Sequence, residues 1–460
     1  MTSFLNRLRA LAETQAVVAL VGLALLEAIF AFLHRLGDLK LYVVETIAAG
    51  LAAGLLYFIL LFALEHLRES RATLWVVLAG ALLFRLTLVS LVPTLSTDIF
   101  RYRWEGRVQA AGWNPYLVRP DDPRLIPLRD AGWRLMPGPE VPAMYPPLTE
   151  LVNRLTWRVL PGPVGFKLPF LMADLLVVAI LAGWLRATGG RAFQLAIYAW
   201  NPLVIVEFAA SGHNDALALA GLLAAIVIIR RELNVSTTAA RASASSAFLA
   251  AGAMTKAFPA VLIPLWLRRA GWPRSRNGWI ALGAGSALTA ACIWPYRSAW
   301  PGILDVMAYY QSRWQNYNAS LYALLAWFSG SPDLAWGAGI GVVAGLALRA
   351  AARRMDLARA AYLLTGATLL FAPNGYSWYF TWIVPFICFF PRSRAASAWL
   401  LLTILQFLSY NVLIDFQARG RWHFDPFYQW LTYAPFYALL LLQLLRARGP
   451  GLPAVEATNA

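Results

Sequence analysis

An acidic residue and two arginines lie just after an apolar run that is long enough to cross a bilayer. The run covers residues 72–93, and Asp98, Arg101 and Arg103 follow it. A carboxylate near a membrane interface can act as a general base, because partial burial raises its pKa. Arginine guanidinium groups are suited to bidentate contacts with phosphate. This stretch therefore predicts proton abstraction beside a bound phosphate, at the point where a span leaves the lipid.

The same stretch has the periodicity of a helix. If Ser96 or Thr97 caps that helix, four polar side chains share one face and three apolar side chains share the other. The polar face consists of Asp98, Arg101, Tyr102 and Glu105, and the apolar face of Phe100, Trp104 and Val108. This pattern predicts a short helix in the membrane interface with its charged face turned to water. An ordinary charged juxtamembrane helix without a catalytic function has the same pattern.

A second polar group lies farther along the chain. Glu207 falls inside an apolar run, where carboxylates are costly and usually functional. The short turn after that run contains His213, Asn214 and Asp215. A polar turn between two spans needs no function, and Asp215 then serves only to cap the next helix. The alternative is that Glu207 and the turn line a binding site.

Lysine is rare in this chain, where Lys40, Lys167 and Lys256 are the three lysines among 39 basic residues. Lys256 interrupts the apolar run 244–267. If that run is a hairpin of two half-helices of ~12 residues, each half rises ~18 Å, and the ammonium group reaches the upper half of a ~30 Å hydrocarbon core. A lysine at that depth can meet a lipid phosphate. The alternative is a structural lysine that pairs with Glu207 or another buried acid.

The composition places these residues in a polytopic membrane protein. The chain is 60% hydrophobic and 13% charged, whereas a soluble domain has about 25% charged residues. Apolar runs of spanning length predict an all-α protein with about 12 transmembrane helices. The net charge of +16 does not indicate nucleic-acid binding, because the arginines recur between apolar runs. Cys292 and Cys388 lie inside such runs and predict neither a disulfide nor a metal site.

The arginine-rich loops orient the chain. With the N-terminus inside, the positive-inside rule holds for the later loops only if the run 244–267 returns to its own side as a re-entrant hairpin. This topology leaves a long outer loop at about 94–163, which predicts the catalytic loop. We expect one transmembrane domain over residues 1–448 and a disordered tail at 449–460. The sequence has no internal repeat that relates its two halves.

Short motifs along residues 70–390 resemble those of the polytopic GT-C glycosyltransferases. The resemblance is closest to bacterial mannosyltransferases that use a polyprenyl-phosphate sugar. The motifs are RYRWEGRV (101–108), GWNPY (112–116), YPPL (145–148), WNPL (200–203), SGHND (211–215), TK (255–256) and WY (378–379). Two departures are Glu105, where such enzymes have Asp, and a single acid, Asp98, where some relatives have a pair. The missing second acid predicts that no divalent metal is needed.

The resemblance implies roles for individual residues. Asp98 is the expected general base, and Arg101, Arg103 and Lys256 are the expected ligands of the donor phosphate. The expected sugar- or acceptor-binding residues are Tyr102, Glu105, Asn114, Tyr116, Tyr145, Glu207, His213, Asn214, Asp215, Tyr376, Trp378 and Tyr379. An aromatic belt at the membrane interface explains Trp378 and Tyr379 without any function. The expected partners are a polyprenyl-phosphate sugar, a glycan or glycolipid acceptor and membrane lipids, in a bacterial inner membrane with the site facing outward.

Two other functions fit part of this pattern. A secondary transporter could use Asp98, Glu207, Asp215 and Lys256 as a proton or substrate path. Transporters commonly contain repeated halves with matching broken helices, which this sequence lacks. A non-catalytic membrane scaffold would not need an acid at the mouth of a span. The sequence therefore favours hexose transfer. The resemblance implies that the hexose is mannose.

Overall fold

A computed structural model describes residues 15–229, 238–300 and 316–446, together with 302, 303, 305, 306 and 309. Every regular element among these residues is a helix. The predicted all-α class is therefore confirmed for the part of the chain that the structure describes. The predicted tail at 449–460 lies outside the described residues.

The described residues of the first half form nine α-helices. They are α1 (Gln15–Leu36), α2 (Val43–His66), α3 (Arg71–Val89), α4 (Asp98–Ala110), α5 (Pro147–Val159), α6 (Pro163–Ala187), α7 (Ala192–Ala199), α8 (Pro202–Ile205) and α9 (Asp215–Ile229). A π-helical turn, Val206–Ser211, continues α8. The outer loop between α4 and α5 carries two short 3₁₀ helices, Pro123–Leu128 and Ala131–Leu135. The start of α4, the start of α5, the end of the π turn and the start of α9 lie around Asp98.

The second half continues with helices of mixed length. They are α10 (Ala239–Ala253), α11 (Ile263–Ala270), α12 (Arg276–Ile293), α13 (Leu321–Ser329), α14 (Pro332–Ala352), α15 (Leu357–Phe371), α16 (Val384–Phe389), α17 (Ala396–Leu405), α18 (Val412–Arg419) and α19 (Pro426–Arg446). Short 3₁₀ helices at Phe258–Leu262, Trp294–Ala299, Ser377–Trp382 and Gln406–Asn411 join or extend several of them.

Seven helical segments among the described residues are long and apolar enough to cross a membrane. Helix α7 is followed by α8 and its π turn at a bend of 47°, and this pair would be an eighth span if it crosses as one unit. The chain is thus a multi-pass membrane protein. Each of the apolar runs found in the sequence coincides with a helix or a broken helix. The total of about 12 spans remains a prediction, because several of these helices are shorter than the ~20 residues that a span needs.

The chain reverses where the sequence predicts a broken helix. Helix α10 ends at Ala253, and α11 follows after a short 3₁₀ helix. The Trp266 indole on α11 donates a hydrogen bond of 2.8 Å to the Ser245 hydroxyl in the middle of α10. The two arms therefore lie side by side as a hairpin, with Lys256 at its tip. The re-entrant placement of this hairpin in the bilayer remains a prediction.

Close packing of α9 against α10 brings the hairpin tip to the site. A Cβ atom on Gly221 would lie 2.9 Å from the Gly252 nitrogen, and one on Gly252 would lie 3.0 Å from the Ala218 carbonyl. Small residues allow membrane helices to approach this closely. Since the helices are antiparallel, the residues after α10 lie beside the first turn of α9. Lys256 and Asp215 are neighbours for this reason.

A buried ion pair ties three membrane helices together below the site. Arg85 on α3 contacts Asp174 on α6 at 2.5 Å, and the Tyr198 hydroxyl on α7 donates to the same carboxylate at 2.7 Å. Arg85 and Asp174 are both fully buried. Removal of one partner from such a pair costs about 3–5 kcal/mol. This pair stabilises the helices whose outer ends carry the site.

Candidate active site

Asp98 lies at the first position of α4, as the capping pattern predicts. Thr97 is the N-cap residue, although its side chain makes no capping hydrogen bond, and the Ser96 hydroxyl instead accepts from the Asp98 amide at 3.4 Å. The Tyr145 hydroxyl donates a hydrogen bond of 3.0 Å to the Asp98 carboxylate. The Asp98 side chain is 21% exposed. An acceptor hydroxyl can therefore reach this carboxylate from outside.

The surroundings of Asp98 change its basicity in opposite directions. Burial is the largest influence and raises the pKa of the carboxyl group. The Lys256 ammonium and the hydrogen bond from Tyr145 oppose that rise, because both favour the ionised form. The net pKa is raised above the ordinary range of an aspartic acid. A carboxylate with a raised pKa is a stronger base, as long as the pH keeps it ionised.

Lys256 forms an ion pair with the carboxylate at the start of α9. Its ammonium nitrogen lies 3.1 Å from Asp215, which also accepts a hydrogen bond of 2.6 Å from the Trp382 indole. The same ammonium group lies over the rings of Tyr145 and Tyr379, at 5.6 and 5.2 Å from their centroids. Asp215 is fully buried, whereas the Lys256 side chain is 14% exposed. Within the described part of the chain, Lys256 is thus a partly accessible cation beside the candidate base.

Asn214 links the turn before α9 to two other elements of the site. Its side-chain oxygen accepts from the Tyr102 hydroxyl at 3.3 Å, and its amide donates to the Thr149 hydroxyl at 3.1 Å. Thr149 donates in turn to the Thr255 carbonyl at 3.0 Å, directly before Lys256. The side chain of Asn214 is fully buried. This network holds α4, α5 and the hairpin tip in a fixed relation.

Glu207 and His213 lie on the buried side of Asp98. The two ring nitrogens of His213 lie 3.8 Å from Asp98 and 3.4 Å from Glu207. The Tyr410 hydroxyl donates to the other oxygen of Glu207 at 2.5 Å. Glu207 is fully buried and His213 is 1% exposed. Direct binding of a sugar by Glu207, which the sequence predicts, does not fit this burial.

The predicted aromatic residues lie beside this histidine. The Trp378 ring stacks on His213 with centroids 4.1 Å apart, and Tyr376 stacks on Trp378 at 4.6 Å. Tyr379 packs against Lys256 as described above. The structure therefore brings the aromatic motif of residues 376–379 to the candidate base, more than 270 positions away in sequence.

The charged face of α4 does not turn to water, which corrects the prediction from its periodicity. Arg101 and Tyr102 are fully buried and Glu105 is 2% exposed. The outer loop folds over this face and supplies polar partners for it. An amphipathic pattern alone cannot distinguish a face that meets water from one that meets a polar loop.

Arg101 and Arg103 are committed to contacts away from Asp98, so the structure does not support their predicted role as phosphate ligands. Arg101 pairs with Glu105 at 2.5 Å and donates to the carbonyls of Gly138 and Val141, each at 2.7 Å. Arg103 pairs with Asp130 at 2.8 Å and donates to the Pro161 carbonyl at 2.7 Å. Both arginines hold the outer loop in place.

Glu105 belongs to a separate buried cluster behind α4. Its carboxylate lies near that of Glu150 on α5, which accepts a hydrogen bond of 3.1 Å from Gln109. The Gln109 side-chain oxygen accepts from the Tyr296 hydroxyl at 2.8 Å. Burial, followed by the charge of Glu105, raises the pKa of Glu150 well above its ordinary value. Glu150 therefore keeps its proton to a higher pH than an ordinary glutamic acid. The predicted contact of Glu105 with sugar does not fit its position.

Asn114 and Tyr116 also lie outside the cluster around Asp98. The Asn114 amide donates to the Ser298 hydroxyl at 3.0 Å, and its oxygen accepts from the Tyr116 amide at 3.1 Å. The Tyr116 hydroxyl donates to the Tyr145 carbonyl at 2.5 Å. Both residues thus position the loop that presents Tyr145 to Asp98, and we assign them no direct contact with a sugar.

Several residues of the site have no marked signal in the sequence. Thr149, Tyr410 and Trp382 lie in ordinary apolar or amphipathic segments, and their roles depend on tertiary contacts alone.

Lys167 has a signal in the sequence, because a lysine inside an apolar run is rare in this chain, but that signal does not specify a role. Its ammonium group donates to the carbonyls of Val89, Leu91 and Ala209 at 3.2, 2.5 and 3.2 Å. It ties the segment before Asp98 to the π turn before His213.

The described residues contain no group of three or more His, Cys, Asp or Glu side chains arranged to hold a metal ion. The predicted independence from metal is not tested by this finding and remains a prediction.

Comparison with known proteins gives two kinds of match. The family model for the alpha-(1->6)-mannopyranosyltransferase N-terminal domain matches residues 8–269, more than half of the chain. No curated protein sequence matches the chain. Among solved structures, apo ArnT from Cupriavidus metallidurans is 15% identical, with 83% of this chain and 73% of that chain covered and a TM-score of 0.47. ArnT bound to undecaprenyl phosphate is 16% identical, with 82% and 73% covered and a TM-score of 0.45.

Proposed function

Because this chain belongs to the alpha-(1->6)-mannopyranosyltransferase family, we propose that it transfers mannose from a polyprenyl-phosphate donor to a glycan or glycolipid acceptor. The family match confirms the glycosyltransferase activity that the sequence motifs predict. The choice of donor rests on the resemblance of those motifs to enzymes that use polyprenyl-phosphate sugars. The motifs in question lie around Asp98, Asn214 and Lys256, and these three residues meet in one site.

The position of Asp98 carries the proposed mechanism. Its carboxylate is accessible to an acceptor, its pKa is raised by burial, and Tyr145 orients it through a 3.0 Å hydrogen bond. In the proposed reaction, Asp98 removes the proton of an acceptor hydroxyl as that oxygen bonds to the anomeric carbon. The bond from this carbon to the phosphate oxygen breaks, and polyprenyl phosphate leaves with the electron pair.

Lys256 is the proposed ligand of the departing phosphate. Among the described residues of the site, it is the cation with partial exposure, and a fixed positive charge stabilises the developing negative charge on a leaving group. A monophosphate donor leaves less negative charge than a diphosphate. We therefore propose that no divalent ion is required. The commitment of Arg101 and Arg103 to other partners supports Lys256 as the phosphate ligand.

The proposed location is the inner membrane of a bacterium, with the site on its outer side. The positive-inside pattern of the loops supports this orientation. A variant without Cys292 and Cys388 allows a test with an impermeant thiol reagent on intact cells. We expect labelling of Arg124→Cys from outside, and protection of Ala240→Cys and Arg268→Cys, since all three positions are exposed. Protection of Arg124→Cys, or labelling of either other variant, would contradict this orientation.

A transfer assay tests the proposed function directly. The purified protein is incubated with polyprenyl-phosphate mannose, polyprenyl-phosphate glucose or GDP-mannose, and with an α-mannoside acceptor. We expect transfer from polyprenyl-phosphate mannose alone, with turnover that survives EDTA. Transfer from GDP-mannose would refute the proposed donor class. Loss of turnover on chelation and recovery with Mg²⁺ or Mn²⁺ would refute the role of Lys256 as the sufficient cation.

A further inference from the structure

Three buried polar atoms behind Asp98 have no hydrogen-bond partner among the described residues. They are the two ring nitrogens of His213 and one carboxylate oxygen, Oε2, of Glu207. Buried polar groups without partners are rare in native structures and require an explanation. In space, these atoms follow one another behind the candidate base: His213 lies next to Asp98, and Glu207 lies next to His213. Nδ1 of His213 is 3.8 Å from Oδ2 of Asp98, and Nε2 is 3.4 Å from Oε2 of Glu207.

We propose that His213 and Glu207 form a proton relay that removes the acceptor's proton from Asp98 into the protein. This inference rests on the proposed function, because it requires Asp98 to be the base. Protonated Asp98 passes its proton to Nδ1 of His213, while the proton on Nε2 moves to Glu207. Asp98 returns to its carboxylate form, His213 stays neutral as its other tautomer, and Glu207 becomes neutral. No proton is gained or lost in this step.

The local backbone fixes the two members of the relay relative to each other. Glu207 lies in the π turn, and the His213 amide donates to the Glu207 carbonyl at 3.1 Å. π turns occur frequently at functional sites. Gly212, between them, has a φ of 77°, and a Cβ atom there would lie 2.8 Å from the Lys167 side chain. A left-handed glycine with no room for a side chain thus sets the direction of His213.

Side-chain contacts restrain both ends. Trp378 stacks on the imidazole with centroids 4.1 Å apart and an interplanar angle of 18°, so the indole covers one face of the ring. Tyr410 holds the far oxygen of Glu207 at 2.5 Å and leaves Oε2 for His213. Both relay gaps exceed a hydrogen bond of about 2.7–3.2 Å. Catalytic hydrogen bonds are often long before substrate binds and tighten in the complex.

Burial favours a neutral imidazole in the relay. The titratable and charged groups that face it are Asp98, Glu207, Asp215, Lys256, Tyr145, Tyr410 and, more distantly, Arg101. Burial and then the charge of Lys256 lower the pKa of His213. A neutral imidazole has one donor and one acceptor nitrogen, which is what a relay between two carboxyl groups requires. Because an imidazolium is disfavoured, the two protons move together.

The relay is tested with His213→Gln, which retains polarity but cannot exchange a proton between two nitrogens. We expect kcat to fall about 10- to 100-fold, up to the lower end of general acid–base effects, with little change in either KM. His423→Gln, in an exposed loop, is the matched control and should match the wild type. Imidazole should restore part of the activity of His213→Ala. A kcat for His213→Gln within about twofold of the wild type would overturn the relay.

A measurement on the wild type keeps the test decisive if these variants fold poorly. Single-turnover rates are recorded in mixtures of H₂O and D₂O, with donor bound before the acceptor is added. Two protons in concerted motion predict a curved dependence on deuterium content, and His213→Gln should give a straight line. A straight line or no isotope effect in the wild type would overturn the relay. Complete absence of transfer by the wild type would instead refute the proposed function.

Discussion

Replacement of both Lys256 and its partner Asp215 separates the role of the lysine in donor binding from its role in folding. Lys256 neutralises the fully buried Asp215 at 3.1 Å. Removal of one partner from a buried ion pair costs about 3–5 kcal/mol, and the 14% exposure of Lys256 places this cost near the lower end. Lys256→Met is therefore expected to fold poorly. Lys256→Met combined with Asp215→Asn removes both charges, and the amide can still accept the indole hydrogen bond from Trp382.

The effect on donor use follows from the contact that is lost. A hydrogen bond to a charged group contributes about 1.5–3 kcal/mol, which corresponds to about a 10- to 150-fold rise in the KM for the donor. We expect this rise in the double variant, with the KM for the acceptor nearly unchanged. Thermal unfolding in detergent verifies that the double variant is as stable as the wild type. The assay varies donor concentration at saturating acceptor.

Two controls show whether the effect belongs to this lysine. Lys40→Met removes a lysine that lies over Phe416 at 4.6 Å and should leave both KM values unchanged. Asp215→Asn alone keeps the Lys256 charge and releases it from its ion pair, so it should not raise the KM for the donor. An unchanged donor KM in the stable double variant would refute phosphate binding by Lys256.

Two further predictions follow from the pKa directions. Tyr145→Phe removes the hydrogen bond that favours ionised Asp98, so the pKa of Asp98 rises further and the acid limb of kcat/KM moves to higher pH; an unmoved limb in a pH–rate profile would exclude Asp98 as the titrating base. Glu150 has a raised pKa, so its contribution to folding stability is complete below its unfolded pKa and is lost as pH rises through the folded value. The melting temperature of Glu150→Gln should therefore decline less with rising pH than that of the wild type, and parallel melting curves would contradict a protonated Glu150.

Local patterns in the sequence predict where several structural elements of the site begin, break or turn. The start of α4 at Asp98, the broken helix around Lys256 and the polar turn at 213–215 all follow from short-range physics. A cap, a proline and a polar turn each act over a few residues. The resemblance of the motifs to those of one family suggests that these three parts form one site. In the structure, Lys256 pairs with Asp215 at 3.1 Å.

The direction of the arginine side chains could not be predicted in the same way. Arg101 and Arg103 lie within about one and a half turns of Asp98, and this short sequence distance suggests a shared ligand. Their partners are carbonyls and carboxylates of the outer loop, such as Gly138, Val141 and Asp130. A backbone carbonyl has the same chemistry in every residue and leaves no signal in a sequence. The same reason conceals the contact of Lys167 with three carbonyls.

The relay is invisible in sequence for a different reason. Glu207 and His213 are close in the chain, but their relation depends on a π turn and on a glycine with positive φ. Neither feature follows from apolar periodicity. Trp378 and Tyr410, which hold the two side chains, come from distant helices. Their contribution therefore depends on how the helices pack.

Turnover by Asp98→Asn tests the central claim most directly. The substitution is nearly isosteric, and its amide can still accept the hydrogen bond from Tyr145, so folding and donor binding should persist. General-base catalysis contributes about 10²- to 10⁴-fold, and we predict a fall in kcat of that size at equal expression and unchanged thermal stability. Turnover within a few-fold of the wild type would contradict the assignment of Asp98 as the base.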